Sequence, residues 1–469
     1  MDIYVGLDIG TTHVKSLLLY DDGSVAGQAS VRTPVSIDAY GEVHRPELLI
    51  EACQTVVKRV LSSLPASEVK IKAISVASIG EEGFWVNRQG QPMYPAIVWY
   101  EQRRSASIQR WMEDHPNAPE VVGLPLKPSY SLFKWLWMRD QLPELWHEAD
   151  QWLSVSDYIA YKLSGNRALS FSQASRTYAF NPWARRLIDE WLDDVLPRGS
   201  ESLPPCVSTG SVIGETLPGL VDDWGLPRGV AVVVGGHDHP IGAIGAGVTE
   251  ESHVLDSMGT AELLYRPVGE FAHGAFDRSF EYGYTGFPSG PCYIGAGTYT
   301  GMTLNTLRRL FSGHVEEGLP TRSHKGSVYV VPNRLGSAPS FDVRNVTPAT
   351  EFSAIWAAAL RASAFVVRWA LSHMPVPAHD ATVVVIGGAA SEEALQVKAT
   401  VLGRSIYVLH DVEAVALGAA ATARSGVTTD PMVKSPPARA IEPQLSRLGE
   451  FEEEYEQFCE AWVEDITGR

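Results

Sequence analysis

At 469 residues the chain is long for one hydrophobic core, so two domains are expected. Its 45% hydrophobic and 20% charged residues are ordinary for a soluble globular protein and exclude a disordered or fibrous chain. A formal net charge of −17 repels phosphate backbones and argues against nonspecific nucleic-acid binding, while leaving room for local cations that face an anionic ligand.

The first predicted elements are two short strands, Ile3 to Ile9 and Val14 to Tyr20, flanking Gly10-Thr11-Thr12. Asp21-Asp22-Gly23 closes the second strand, so the pair reads as a hairpin. Asp2 and Asp8 stand where a secretory signal would carry basic residues, and a cytoplasmic protein is expected. Pro46 to Leu64 carries apolar residues at helical spacing, from Leu48 and Leu49 to Val60 and Leu61. Ile71 to Ala77 reads as a buried strand, and alternating strands and helices argue for an α/β fold. Ser129 to Asp157 holds Trp135, Trp137, Trp146 and Trp152, read as helical core packing rather than an aromatic site.

Val230 to Val234 is an apolar strand that ends in Gly235-Gly236. The apolar window around it contains His237, Asp238, His239 and Pro240, a poor composition for a membrane span. His253 to Leu255 then leads into Asp256-Ser257-Met258-Gly259-Thr260, which echoes Asp8-Ile9-Gly10-Thr11 and suggests two related halves. Thr382 to Ile386 is a strand, Gly387-Gly388 a turn, Glu392 to Leu402 a helix, and Ile406 to Leu409 a further strand. Glu413 to Arg424 is a helix of small residues, suited to close packing. In Gly449 to Trp462, Phe451, Tyr455, Phe458, Cys459 and Trp462 share one face, predicting a docked surface helix. The four cysteines, Cys53, Cys206, Cys292 and Cys459, show neither zinc spacing nor C-x-x-C, which fits a reducing compartment.

Four groups could carry chemistry. The opening turn lacks the G-K-[ST] of a Walker A loop. Gly10 nevertheless lets backbone approach a ligand, and turn amides can face a phosphate. Thr11 and Thr12 add hydroxyls, Lys15 a positive charge, and Asp8 a carboxylate that could hold Mg²⁺. The alternative is a merely polar hairpin turn. Gly259-Thr260 could form a second turn of the same kind. Asp238 follows an apolar strand and a glycine turn, so its carboxylate would be partly desolvated, as a general base needs. It could equally cap a helix whose first turn contains Pro240. Consecutive side chains point in different directions, so metal ligation by His237-Asp238-His239 is the lesser reading. Finally, Glu81-Glu82 and Trp99 with Glu101 and Arg103 offer acceptors and an aromatic face to a sugar, or else a solvated loop with an ordinary ion pair.

G-L-D-I-G-T-T-H-V-K, G-G-H-D-H, D-S-M-G-T, G-G-A-A-S-E-E and E-A-V-A-L-G-A-A occur in that order. Together they resemble the FGGY carbohydrate kinases over Tyr4 to Arg424, nearly the whole chain. That resemblance implies an α/β fold of two actin-like ATPase (ribonuclease H-like) domains around a central cleft. Its implied domains are a sugar-binding 1–245, an ATP-binding 246–440, and a tail 441–469 with the docked helix. It implies ATP and Mg²⁺ as cofactors, with Asp8 at the magnesium and Asp238 as catalytic base near metal and substrate. Gly10, Thr11, Thr12 and Lys15 would meet the phosphates from one side and Gly259 and Thr260 from the other. Gly297, Gly301 and Asn305 would lie beside the α- and β-phosphates, and Gly387, Gly388 and Ala389 against adenosine. Glu392 stands where glycerol kinases have asparagine. Glu413 to Ala421 resembles the motif that links the two domains.

On the sugar side the resemblance assigns Glu81, Glu82, Trp99, Glu101, Arg103, and Ser129 or Tyr130. Glu101 departs from the W-x-D-x-R of ketose kinases. The implied activity is ATP-dependent phosphorylation of a small sugar or polyol: xylulose-like ketopentoses first, other ketoses second, alditols third. The Glu81-Glu82 pair disfavours an anionic substrate such as gluconate. A homodimer is compatible with the family, and neither nucleic acid nor membrane is expected as a partner. Two other classes share the fold: an actin- or Hsp70-like ATPase, and a catalytically inactive sugar or nucleotide sensor. Intact Asp8, Gly10, Asp238 and Gly259-Thr260 weigh against the second.

Overall fold

Strand β1 (Asp2–Ile9) pairs antiparallel with β2 (His13–Tyr20), Asp8 lying opposite Lys15, and β3 (Val25–Arg32) extends the sheet. The computed structural model describes residues 1–469 apart from 65–68, 260, 272–275, 288–291, 311–327, 334–339, 377, 379, 389, 410–412, 430–437 and 468–469, and apart from the side chains of 221 and 463–467. Helix α1 (Pro46–Leu61) starts on a proline, whose missing N–H costs nothing in a first turn, and buries Leu49, Cys53, Val56, Val57 and Val60. It crosses over to β4 (Lys70–Ser78), which joins β1 in parallel. After α2 (Ser131–Gln141) and α3 (Val155–Ser164) come β5 (Val212–Glu215) and β6 (Ala231–His237). The first sheet runs β5-β6-β4-β1-β2-β3. Trp135, Trp137, Trp146 and Trp152 are buried, as core packing requires.

Helix α4 (Asp238–Gly245) leads into the second sheet. Its strands are β7 (His253–Met258), β8 (Glu262–Val268), β9 (Glu281–Tyr284), β10 (Cys292–Thr298), β11 (Thr382–Ile386), β12 (Ile406–Val408) and β13 (Arg439–Ile441). Their order is β9-β10-β8-β7-β11-β12-β13. Both sheets share one scheme. β3-β2-β1 and β10-β8-β7 are antiparallel, β1-β4-β6 and β7-β11-β12 are parallel, and an antiparallel strand closes the far edge. The fold is therefore duplicated and actin-like, as the echo between Asp8 and Asp256 suggested.

The helices of the second half are α5 (Thr300–Leu310), α6 (Phe352–His373), α7 (Glu392–Leu402), α8 (Ala414–Ser425) and α9 (Glu452–Thr467). Helix α6 was not anticipated from the sequence. It is long and apolar enough to cross a membrane, but 83% of its apolar window is buried inside the protein. The acidic α9 docks on it through Phe458 and Trp462, and Glu454 pairs with the buried Arg361 at 2.8 Å.

Helix α8 crosses to the first half, and α4 lies between the two, with Ile241 and Ile244 in the cluster under the first sheet. Ala416, Leu417, Ala419 and Ala420 of α8 pack under the first sheet against Tyr4 and Ala77, while Ala243 of α4 packs with Leu255 and Ile386 of the second. Glycines let these backbones meet. A Cβ on Gly6 would lie 2.0 Å from the Ala416 carbonyl oxygen, and one on Gly418 would lie 1.8 Å from that of Ile241.

Candidate active site

The parallel strands β1, β4 and β6 end together, with Ile9, Ser78 and His237 in register. The residues that follow them, Gly10-Thr11-Thr12, Gly80-Glu81-Glu82 and Asp238, thus emerge along one edge. Carboxyl ends of parallel strands are where open α/β sheets bind ligands.

Asp8 lies one residue inside that edge, on the face turned toward α8. Its carboxyl is buried, and Oδ1 has no hydrogen-bond partner. Burial pushes its pKa to about 8; Lys15 opposes the shift, and Asp238 and Glu413 add to it. Lys15 Nζ is held by Glu413 Oε2 at 2.5 Å, across the two halves. The Gly10 turn is closed by Gly10 N donating to the His13 carbonyl at 3.1 Å and by Thr33 Oγ1 donating to the Gly10 carbonyl at 2.6 Å. Thr12 is exposed, with its hydroxyl beside His13 Nδ1.

Asp238 begins α4. Gly236 before it has φ +132°, and a Cβ there would lie 2.0 Å from Ser172 Oγ, so glycine is needed for the chain to turn. Ser172 Oγ accepts from His237 N at 3.0 Å and fixes the strand end. Burial raises the Asp238 pKa to about 7, with Glu81 adding, Arg176 opposing and Glu82 adding. Burial pushes the His237 imidazole well below its ordinary range and His239 down to about 4. The sequence expectation that these three side chains diverge is corrected here. They span a strand-to-helix junction, not a regular element, and their ligand atoms all lie within 4.8 Å of one another.

Glu81 has a left-handed backbone, φ 63°, unusual for a residue with a side chain. Lys134 holds it there, donating to the Glu81 carbonyl at 2.9 Å and to Ile97 O at 3.0 Å. Glu81 Oε1 accepts from Arg176 Nε at 2.7 Å. Arg176 Nη1 also donates to Glu281 Oε2 on β9 at 3.0 Å, and Lys127 lies 3.2 Å from the other oxygen. Burial acts against the Glu281 carboxylate, but Lys127 and Arg176 outweigh it and bring the pKa to about 2. The Arg176 guanidinium sits 5.5 Å from the Tyr130 ring centre, and Tyr130 stacks on Tyr178. Ser129, one residue before, is half-buried.

Glu82 is fully buried, and both oxygens are engaged. Oε1 accepts from Trp99 N at 2.7 Å and Oε2 lies 2.8 Å from His44 Nδ1. It therefore holds Trp99 in place rather than presenting a free carboxylate. Burial pulls the His44 imidazole down, but Glu82 prevails and holds it above its ordinary value. Trp99 Nε1 in turn donates to Thr11 Oγ1 at 3.0 Å, joining the sugar-side loop to the first turn. Glu101 Oε1 accepts from Glu42 N at 2.9 Å. Arg103 is buried 5.0 Å over the Trp137 ring, with Asp38 at 3.6 Å and no hydrogen bond to its Nε, Nη1 or Nη2.

The second sheet repeats the arrangement. β7 and β11 end beside each other, and a Cβ on Gly387, φ +108°, would lie 2.3 Å from the Met258 carbonyl oxygen. Gly259 N donates to the Ala261 carbonyl at 3.0 Å in the β7–β8 turn. Gly297, opposite Leu263, borders that turn, and Gly301 and Asn305 follow on α5. Among the described residues nothing would meet a Cβ on Gly388 within 4 Å. Thr260 and Ala389 lie outside the described residues. Glu392 is exposed and pairs with Arg439. Asp256 is buried against Lys398 of α7, which also holds Glu262 at 2.7 Å.

These residues fit ATP and Mg²⁺. Asp8 Oδ1 is an orphaned buried oxygen near the carboxyls of Asp238 and Glu413, which suits Mg²⁺. Gly10 and Gly259 offer turn backbone to phosphates, and Gly387-Gly388 a glycine turn to a nucleoside. The sequence reading missed Arg176, Glu281, Lys134 and His44. Only Arg176, the sole cation in A-L-S-F-S-Q-A-S-R-T-Y-A-F, left a trace there. The others act through partners far away in the chain.

Residues 3–245 match the N-terminal domain, and residues 319–426 the C-terminal domain, of the FGGY family of carbohydrate kinases. A xylulose kinase of Staphylococcus epidermidis is 29% identical over 56% of this chain and 52% of its own length. An L-fuculokinase of Escherichia coli is 27% identical over 56% of each chain. The chain thus spans about half the length of the curated relatives it matches. The crystal structure of xylulose kinase from Rhodospirillum rubrum superposes with a TM-score of 0.86, at 20% identity, over 98% of both chains.

Proposed function

Because the chain belongs to the FGGY family of carbohydrate kinases, we propose that it transfers the γ-phosphoryl group of Mg·ATP to a hydroxyl of a small sugar, with Asp238 as general base. The observation that carries this reading is the Asp238 carboxyl. It is desolvated, its Oδ1 is unpartnered, and its pKa of about 7 suits proton uptake near neutrality. It lies one strand removed from the Gly10 turn and beside the loop of Glu81.

Bound ATP supplies the phosphoryl group, and Mg²⁺ neutralises charge on its oxygens. The chain's residues align, dehydrate and accept the proton. Asp8 would hold the metal; Gly10, Thr11, Thr12 and Gly259 would cradle phosphates; Gly297, Gly301, Asn305, Gly387 and Gly388 would border the nucleotide. Asp238 takes the acceptor's proton. Trp99 offers a ring face to the sugar, and Glu82 and Thr11 fix its orientation. Arg103, with unspent donors, and Tyr130 would lie on the acceptor side. Relatives that carry the names xylulose kinase and L-fuculokinase favour a ketose, ahead of other sugars and alditols.

The test is ADP release from Mg·ATP with a panel of pentuloses, hexuloses, alditols and aldonates. One sugar should raise turnover well above background. Asp238→Ala should lose roughly 10²–10⁴-fold of that turnover and still bind ATP. Unchanged turnover in the variant would remove Asp238 from the mechanism. Turnover indifferent to every sugar would favour an ATPase or a sensor of the same fold.

A further inference from the structure

The strand-to-helix junction that carries Asp238 places three metal-competent side chains together. His237 Nε2 lies 3.2 Å from Asp238 Oδ1, and His239 Nδ1 lies 3.8 Å from the same oxygen. Despite these distances Asp238 Oδ1 has no hydrogen-bond partner, and neither does the buried His237 Nδ1. Asp238 Oδ1 thus keeps its lone pairs unspent beside two imidazoles. Bonds of about 2.0–2.1 Å to a tetrahedral zinc set ligand edges of about 3.3–3.4 Å, between the two observed values. The third edge, between the imidazoles, is within 4.8 Å, and His239, with 35% of its side chain exposed against 4% for His237, is the ring free to close it. Glu81 and Glu82 add negative charge around the cluster, against the positive charge of Arg176.

We propose that His237, Asp238 and His239 form a binding site for a borderline divalent cation, Zn²⁺ or Co²⁺, separate from the oxygen-only site that Asp8 offers to Mg²⁺. Two imidazoles and one carboxylate select against Mg²⁺ and for the later transition metals. Three protein ligands leave a fourth position open. An ion there lowers the basicity of the Asp238 carboxylate, so its effect on turnover is inhibition.

The experiment titrates the full chain with Co²⁺ in the absence of nucleotide and follows the visible d–d absorption, then competes the ion off with Zn²⁺. One strongly absorbing, low-symmetry Co²⁺ per chain is expected. His239→Ala should weaken binding by at least ~10-fold and raise the Zn²⁺ needed to inhibit. His237→Ala should do the same; should that buried replacement not fold, judged by circular dichroism, His239→Ala carries the test alone. Parent-like Co²⁺ binding in His239→Ala, or only weak octahedral absorption in the parent, would overturn the site. The binding arm needs no turnover. A chain that binds Co²⁺ through His239 yet phosphorylates no sugar would overturn the kinase reading and keep the metal site; an active kinase without the cobalt band would do the reverse.

Discussion

The two hairpins at the heart of the molecule, β1–β2 and β7–β8, share topology and place in their sheets, yet put their aspartates to opposite uses. Asp8 stands two residues before Gly10, and Asp256 three before Gly259. Side chains alternate along a strand, so one added residue turns a carboxylate to the other face. Asp8 faces α8 and the cleft, with an unpartnered oxygen. Asp256 faces α7, where Lys398 joins it to Glu262, which also accepts from Ser363 at 2.8 Å. Ser257 occupies the cleft-side face in its place. One aspartate is thus available for chemistry and the other for holding the β7–β8 hairpin against its helix.

The sharpest way to break this contrast is to remove the buried cation. Lys398→Met leaves two carboxylates uncompensated and should destabilise the chain by ~3–5 kcal/mol, read as a fall in the midpoint of urea or thermal unfolding. The matching change in the first half should behave differently. Asp8→Asn should cut turnover roughly 10²–10³-fold, the scale of losing one charge-stabilising group. Its unfolding midpoint should be no lower than the parent's, because burial already disfavours that charge. A large loss of stability in Asp8→Asn, or none in Lys398→Met, would erase the distinction.

This contrast also marks what the sequence made legible. Strands, turns and the duplicated hairpin could be read because apolar runs and Gly-Thr punctuation are local signals. The echo between Asp8 and Asp256 was legible at the level of the hairpin and misleading at the level of the carboxylate, since a face is set by counting from the turn. His237, Asp238 and His239 were read as divergent because strand geometry was extended past a junction bent at Gly236. Helix α6 went unseen because its almost uniformly apolar run of small and large residues gives weak helical contrast. Glu82 looked like a sugar ligand because its partners, His44 and Trp99, are 38 and 17 positions away. Long-range pairing of that kind leaves no local pattern.

The two helices between the sheets extend the comparison. The first sheet meets α8 backbone to backbone at Gly6, whereas the second meets α4 through side chains such as Leu255 and Ile386. Gly6→Ala should therefore cost about 1–3 kcal/mol, because the new methyl would meet the Ala416 carbonyl oxygen and Ala420 N at 2.0 and 2.5 Å. Leu255→Ile, a swap of equal volume, should cost less than about 1.5 kcal/mol. Equal losses in urea unfolding would mean that the two sheets grip their helices alike.

The smallest effect belongs to a charged contact between the halves beside the Glu81 loop. Glu281 is the second half's contribution: it holds Arg176 and Lys127, and Arg176 holds Glu81. Burial alone would raise its pKa from 4.5, but the two cations bring it down to about 2. A depressed carboxylate pKa means that the folded state binds fewer protons than the unfolded one between those values, so the contact stabilises above about pH 4.5 and is lost as pH falls toward 2. Glu281→Gln should lower the unfolding midpoint by the same amount at about pH 6 and about pH 8, and the difference from the parent should shrink below about pH 4.5. Glu81 keeps its own contacts to Arg176 in that variant, which is why the loss is modest. A difference that instead vanished between pH 6 and 8 would place the titrating group elsewhere, since Glu281 does not change charge in that interval.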